Sequence, residues 1–252
     1  MNMEQRREAL AALINNEGTI SFANIKKHFS DVSEMTLRTD LKTLDQERKI
    51  VRIHGGARSV DYVVGVDGLQ DSHRDRNVES KTLIAQKAAK LVRPNSTIFV
   101  DSGSTTEALC NHMPNSNIQV FASNIPCILA LSHKESIQTY LIGGKVSPLT
   151  LGIRGSDALV QLQRLSFDQT FLGVSAYQHG VGFSCGSDDE AAIKRYCTNN
   201  AGQVIALLDS SKIDYRSTFH VCDLEDIDIV VGDGKLPPDF LAECHEAGIE
   251  VL

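Results

Sequence analysis

No apolar run in this sequence approaches the roughly 18 residues needed to cross a bilayer. No short apolar segment follows a basic N-terminus, so neither a membrane span nor a signal peptide is expected, and the protein is placed in the cytoplasm. Paired cysteines are also missing. Cys110, Cys127, Cys185, Cys197, Cys222 and Cys244 stand singly, without a Cys-x-x-Cys pair or a Cys/His cluster. They read as reduced thiols, which excludes a disulfide frame and a zinc site. His112, His133, His179 and His220 show no metal spacing either, so no metal and no cofactor is expected. No Gly-x-Gly-x-x-Gly occurs, which excludes a dinucleotide-binding Rossmann fingerprint. An excess of basic residues is lacking as well, because the net charge is −7. Nucleic-acid binding over the whole surface is thereby excluded.

What is present is a chain of 252 residues, 42% of them hydrophobic, enough for a large core or for a small domain beside a medium one. Its charge is uneven. Residues 1 to 58 carry ten Lys and Arg against eight Asp and Glu, and the rest carries 15 against 24. The basic end alone is suited to phosphate neutralisation.

At that end, Glu4 to Asn15 is rich in helix formers, with Leu10, Leu13 and Ile14 at spacings of three and four. Ser21 is positioned to cap a short second helix carrying Phe22, Ile25 and Phe29. Ser33 caps a third, running from Glu34 to about Lys49. In that helix Met35, Leu37, Leu41 and Leu44 are expected on the apolar side, leaving Thr36, Arg38, Thr39, Lys42 and Thr43 outside. Two helices with a brief connection, the second starting in hydroxyl and basic side chains, make a helix-turn-helix pattern. A bare three-helix bundle with solvated charges fits the same pattern. Ile50 to His54 alternates like a strand and ends at Gly55-Gly56, predicting a small hairpin wing.

Residues 59 to 80 have no sustained period and read as a connector, with an edge strand expected around Tyr62 to Val66. A helix over Lys81 to Val92, stopped ahead of Pro94, opens a second domain covering 81 to 252. From Thr97 onward, strand candidates (98–100, 119–122, 138–142, 169–173, 203–208, 227–231) alternate with helix candidates (106–113, 126–132, 156–164, 189–201). Such alternation predicts an α/β domain with a largely parallel sheet covered on both faces, whose ligand sits outside the carboxyl ends of the strands. Small and charged residues follow those strands: Asp101 to Thr106, Ser123-Asn124, Gly143-Gly144, Gly173 to Ala176, and Asp209 to Lys212. The first is the most informative. Thr97 to Cys110 reads as a strand, a small hydroxylated loop and a helix start, where backbone N–H groups and the hydroxyls of Ser102, Ser104, Thr105 and Thr106 suit a phosphate. An ordinary turn with a Ser or Thr cap reads equally from that stretch.

Two longer sets of residues carry a resemblance. Met35 to Asp45 (Met-Thr-Leu-Arg-Thr-Asp-Leu-Lys-Thr-Leu-Asp) with Arg52 to Ala57 (Arg-Ile-His-Gly-Gly-Ala) resembles the winged helix-turn-helix of the DeoR family of bacterial transcriptional regulators. It departs at Gln46-Glu47-Arg48-Lys49, where the family usually has a glycine before the wing. Asp-Ser-Gly-Ser-Thr-Thr, Ser-Asn, Leu-Ile-Gly-Gly, Phe-Leu-Gly-Val-Ser, Glu-Ala-Ala-Ile-Lys-Arg and Leu-Asp-Ser-Ser-Lys resemble that family's C-terminal sensor domain. Here the departure lies between Tyr177 and Ser187, where the family is more threonine-rich.

The resemblance implies a small winged-helix domain at 1 to 58, a linker at 59 to 80, and a sensor domain with a fold similar to ribose-5-phosphate isomerase and CoA transferases. It further implies a repressor of a carbohydrate or polyol operon, bound to double-stranded operator DNA as a homodimer or homotetramer and released by a phosphorylated sugar or polyol. DNA contacts are then expected from Ser33, Thr36, Arg38, Thr39, Lys42, Arg52 and His54. Effector contacts are expected from Asp101, Ser102, Gly103, Ser104, Thr105, Thr106, Ser123, Asn124, Gly143, Gly144, Glu190, Lys194 and Lys212. Glu190 and Lys194, four apart on one helix, fit an ion pair equally well. The alternative is a sugar-phosphate isomerase using Asp101, Glu190 and Lys212 in acid–base chemistry, but an isomerase has no use for a winged helix.

Overall fold

The computed structural model describes residues 2–17, 19–47, 49–53, 55–59, 77–148 and 150–252, with Asn16 and Thr19 described by backbone alone. His54, the expected strand at Tyr62 to Val66 and most of the connector 59 to 80 lie outside the described residues. The chain divides into two compact units, Met1–Gly68 and Leu69–Leu252.

In the first unit three helices, α1 (Met3–Glu17), α2 (Phe22–His28) and α3 (Glu34–Gln46), are joined by short connections. Both expected caps form: Ser21 Oγ accepts from the Asn24 N–H at 3.2 Å, and Ser33 Oγ accepts from the Thr36 N–H at 3.1 Å. Leu10, Ile14, Ile25, Leu37, Leu41 and Leu44 close one small core. Met35 does not join it. It is 76% exposed, on the outer face with Arg38, Thr39 and Lys42, because the helical period that buries Leu37, Leu41 and Leu44 turns position 35 outward. Helix α3 stops at Gln46, short of Lys49, and the Lys49 N–H closes onto the Leu44 carbonyl at 2.9 Å. Strands β1 (Thr19–Ser21), β2 (Ile50–Ile53) and β3 (Gly56–Ser59) form an antiparallel sheet in the order β1-β3-β2, the wing. β1 was not predicted, being three residues long. It fixes the residue at position 56, because a Cβ there would lie 2.2 Å from the Ile20 carbonyl oxygen.

The second unit is built on seven strands: β4 (Thr97–Val100), β5 (Ile118–Ala122), β6 (Ile137–Leu141), β9 (Gln169–Gly173), β12 (Val204–Leu208), β14 (Ile229–Gly232) and β15 (Glu250–Val251). Their order is β15-β14-β12-β9-β4-β5-β6, and every pair is parallel. The predicted alternation is thus borne out, while β15, only two residues long, went unpredicted. Helices cover both faces. Ile98 and Val100 pack under α4 (Val78–Ala89), α5 (Ser104–His112) and α6 (Ile125–Leu131), whereas Phe99, one residue out of phase, packs with α7 (Ser156–Leu162) and α8 (Asp188–Asn199). Further along, α9 (Pro238–Glu246) supplies Phe240 and Cys244 to a third cluster. Two smaller sheets attach: the hairpin β7 (Lys145–Val146) with β8 (Ile153–Arg154), and antiparallel β10 (Ala176–Gln178), β11 (Gly182–Cys185) and β13 (Phe219–Cys222). All six cysteines are buried free thiols. Among the described residues no helix is long and apolar enough to cross a membrane.

From central β4 the chain moves outward through β5 and β6, then returns to lay β9 on the other side of β4 and continues through β12, β14 and β15. The strand order therefore reverses between β4 and β9, the switch point outside whose carboxyl ends open α/β sheets hold their ligand crevice.

Candidate effector site and outward face of the third helix

The crevice is held by a buried ion pair. Asp101 follows β4 and is 1% exposed; Lys194, on α8, is 3% exposed, and its Nζ donates to Asp101 Oδ2. The same carboxylate oxygen accepts the Gly173 N–H at 3.0 Å, and Lys194 Nζ also donates to the Gly173 carbonyl at 2.9 Å. One lysine and one aspartate thus tie the ends of β4 and β9 together. Burial pulls the ammonium towards neutrality, but the nearby Asp101, Cys185 and Glu190 and the hydrogen bond to Asp101 together outweigh it and hold the lysine above its ordinary range. Glu190, one turn earlier on α8, takes Arg154 of β8, with Arg154 Nη2 2.6 Å from Glu190 Oε1. Glu190 and Lys194 therefore each take a partner from another element.

With Asp101 fixed, residues 102–103 turn into α5. Gly103 occupies the N-cap position at φ 138° and ψ 165°, backbone that residues with a Cβ avoid, and no side chain caps the helix. The Ser or Thr cap of the ordinary reading is therefore not formed. Thr106 is turned inward, fully buried, and its hydroxyl donates to the Gly103 carbonyl at 2.8 Å. Ser102, Ser104 and Thr105 are half-buried, and among the described residues their hydroxyls have no hydrogen-bond partner. First-turn N–H groups and three uncommitted hydroxyls at a helix N-terminus can receive an anion.

The other expected residues divide by position. Ser123 ends β5 beside β4; its Oγ is buried and unpartnered among the described residues. Asn124 is spent as a cap, its Oδ1 accepting the Cys127 N–H at 2.9 Å. Gly143 and Gly144 follow edge strand β6, and Gly143 N–H donates to Gln161 Oε1 at 3.0 Å. They lie beyond a strand that is itself two places from β4. Lys212 closes the 3-10 turn Ser210–Lys212 after β12, next to β9, and its Nζ has no ion-pair partner among the described residues. Gly173 and Arg154 join the site's framework although sequence reasoning assigned them no role. Gly173 lay within a quoted motif, whereas Arg154 carried no signal, since its partner Glu190 is 36 positions away.

On the first unit, Arg38, Thr39 and Lys42 share the exposed face of α3 with Met35. The Arg38 guanidinium carbon sits 4.1 Å from the Phe22 ring centroid, and its Nη2 lies 3.8 Å from Glu34 Oε2. The Ser33 and Thr36 hydroxyls meet at 2.8 Å, and Thr39 Oγ1 donates to the Met35 carbonyl. Arg52 is exposed on β2, its N–H held by Asp45 Oδ1 at 3.0 Å.

Comparison with known proteins agrees with this division of labour. The DeoR-like helix-turn-helix domain matches residues 6–63, and the DeoR C terminal sensor domain matches residues 76–234. The HTH-type transcriptional regulator GlpR of Haloferax volcanii is 29% identical over 248 residues, covering 98% of this chain and 96% of its own. The lactose phosphotransferase system repressor of Streptococcus mutans is 32% identical over 229 residues, covering 89% and 90%. Among solved structures, ribose 5-phosphate isomerase A of Methanocaldococcus jannaschii shares 18% identity at a TM-score of 0.40, covering 54% of this chain and 55% of that one. With both of its domains matched in order, the chain belongs to the DeoR family.

Proposed function

We propose that this chain is a cytoplasmic repressor of a carbohydrate or polyol utilisation operon, acting without a cofactor, which leaves its double-stranded operator when a phosphorylated sugar or polyol binds the second unit. The observation that carries the reading is the junction of β4 with α5. There the Asp101–Lys194 pair pins a glycine-capped turn whose N–H groups and Ser104 and Thr105 hydroxyls have no side-chain acceptor or donor of their own. Lys212, next to β9 at the adjoining strand end, supplies a cation without an ion-pair partner among the described residues. Operator contacts are assigned to Ser33, Thr36, Arg38, Thr39 and Lys42 on and ahead of α3, to Arg52 on the wing strand β2, and to His54. Exposed Met35 adds an apolar group to that face, suited to a thymine methyl. The isomerase alternative is set aside because Asp101 and Glu190 are each bound to a cation, Lys194 and Arg154, and neither stands poised to move a proton.

Melting of the full chain against a panel of phosphorylated sugars and polyols, their unphosphorylated parents and inorganic phosphate tests this. A ligand bound only by the folded state, at about 100 times its Kd, adds about 2.7 kcal/mol. A phosphorylated compound should raise the melting temperature and weaken an operator complex in a mobility-shift titration, while its parent does neither. If the operator is bound and no phosphorylated compound alters either readout, the effector half of the proposal fails.

A further inference from the structure

Edge strand β6 has an unprotected outer side. Its five residues, Ile-Gln-Thr-Tyr-Leu, include no charge and no proline, the usual defences of an open sheet edge, whereas the opposite edge, β15, is only two residues long. Beside β6 a cleft of about 560 Å³ opens against α7, and apolar side chains line it while facing solvent: Tyr140 is 42% exposed, Leu141 43% and Val160 51%. Tyr140 is held flat there, its ring stacked on Phe121 at 4.5 Å. The helical wall has its own order. Asp157, Val160 and Gln161 on α7 and Arg164 in the turn that ends it are all exposed and line the cleft together. That face is apolar and amide in the middle, acidic at one end and basic at the other. Neither Asp157 nor Arg164 has an ion-pair partner among the described residues.

We propose that this face binds a second copy of the chain across a two-fold axis. Two-fold contacts are self-complementary, so residue i meets j and j meets i. An axis between Val160 and Gln161, with the two α7 helices antiparallel, sets each Asp157 against Arg164 of the other copy and joins the apolar middles. The charge pattern thus matches its own rotated image, as no unrelated partner requires. The two-fold itself rests on the operator-binding reading, because paired winged helices read paired half-sites. The face rests on exposure and charge alone.

Sedimentation equilibrium on the full chain without DNA tests it, with far-UV circular dichroism and melting checks that each variant is folded. The wild type should dimerise at micromolar concentration. Asp157→Arg and Arg164→Asp should each weaken dimerisation about tenfold or more by opposing like charges, and the double variant should regain it. Val160→Glu, setting two carboxylates near the axis, should give monomers. A monomeric wild type, unchanged assembly in Val160→Glu, or a double variant no better than either single would overturn the proposal and leave the face to another partner. Dimers that ignore every operator would instead count against the repressor reading, not this interface.

Discussion

Asp101 and Lys194 remove opposite charges from water and return most of that cost by bonding one another and the Gly173 peptide. A pair of this kind contributes little net stability, yet it is intolerant of losing one member. Lys194→Met should leave Asp101 buried with only an amide partner and cost about 3–5 kcal/mol in urea unfolding of the full chain. Asp101→Asn with Lys194→Met keeps an acceptor for the Gly173 N–H and should fall within about 1 kcal/mol of wild type. If the single and double variants are equally unstable, the pair is not what ties the strand ends together. At this scale the sequence was legible in part. Asp101 stood out because it follows a strand, and Lys194 because of its helical spacing from Glu190. Nothing in a one-dimensional pattern joins residues 93 positions apart. Thr106 and Asn124 were both expected among the effector contacts, but which hydroxyl or amide is spent on the local backbone depends on rotamers that composition does not encode.

Between elements, α1 is fastened to the third helix by one carboxylate. Asp40 is 1% exposed, and its two oxygens take Arg6 Nε at 2.6 Å and Arg7 Nε at 2.8 Å. Burial raises the Asp40 pKa, but the hydrogen bonds from Arg6 and Arg7 outweigh it, leaving the carboxyl below its ordinary range. The folded value is thus lower than the unfolded one, near about 3.9. The resulting stability is present in full above about pH 4 and drains away as pH falls through the folded value. Asp40→Asn should cost about 1–3 kcal/mol at neutral pH. It should also flatten the acid limb of the first unit's pH–stability curve; an acid limb unchanged in Asp40→Asn would show that α1 is anchored otherwise. An arginine pair and an aspartate 33 residues on read as three solvated charges until the helices cross. Longer elements were easier. Strand–helix alternation announced six of the seven parallel strands, the central ones because they are short apolar runs between helical segments. The misses were short segments, β1, β7, β8, β10, β11, β13 and β15, and α9, which starts from the Pro237-Pro238 pair.

At the scale of the whole molecule, an effector can move the operator equilibrium only by its difference in affinity between the DNA-bound and DNA-free states. The proposed reading helix and the proposed effector site belong to separate compact units, so the two activities should be separable by mutation. Arg38→Ala removes an exposed guanidinium from α3 and should weaken operator binding by about 1–3 kcal/mol while leaving ligand-induced melting shifts intact. Unchanged operator affinity and salt dependence in that variant would misplace the reading face. The reciprocal variant is Ser104→Asp with Thr105→Asp. It removes two uncommitted hydroxyls and sets two carboxylates where the phosphate dianion is proposed to sit. At 4 Å and an effective dielectric of 20, one like-charge contact costs about 4 kcal/mol, so affinity for the phosphorylated effector should fall about 100-fold or more. The acidic side chains also favour the N-terminus of α5, so the fold should hold. Operator binding should persist, and by linkage a protein that no longer distinguishes the two states through its ligand stays on DNA at any effector concentration. Calorimetry on the purified variant and a reporter strain grown with the inducing sugar read the two halves separately. A double-Asp variant that binds the effector as wild type does would reduce the Asp101 to Thr106 segment to a structural turn and move the phosphate site elsewhere on the rim.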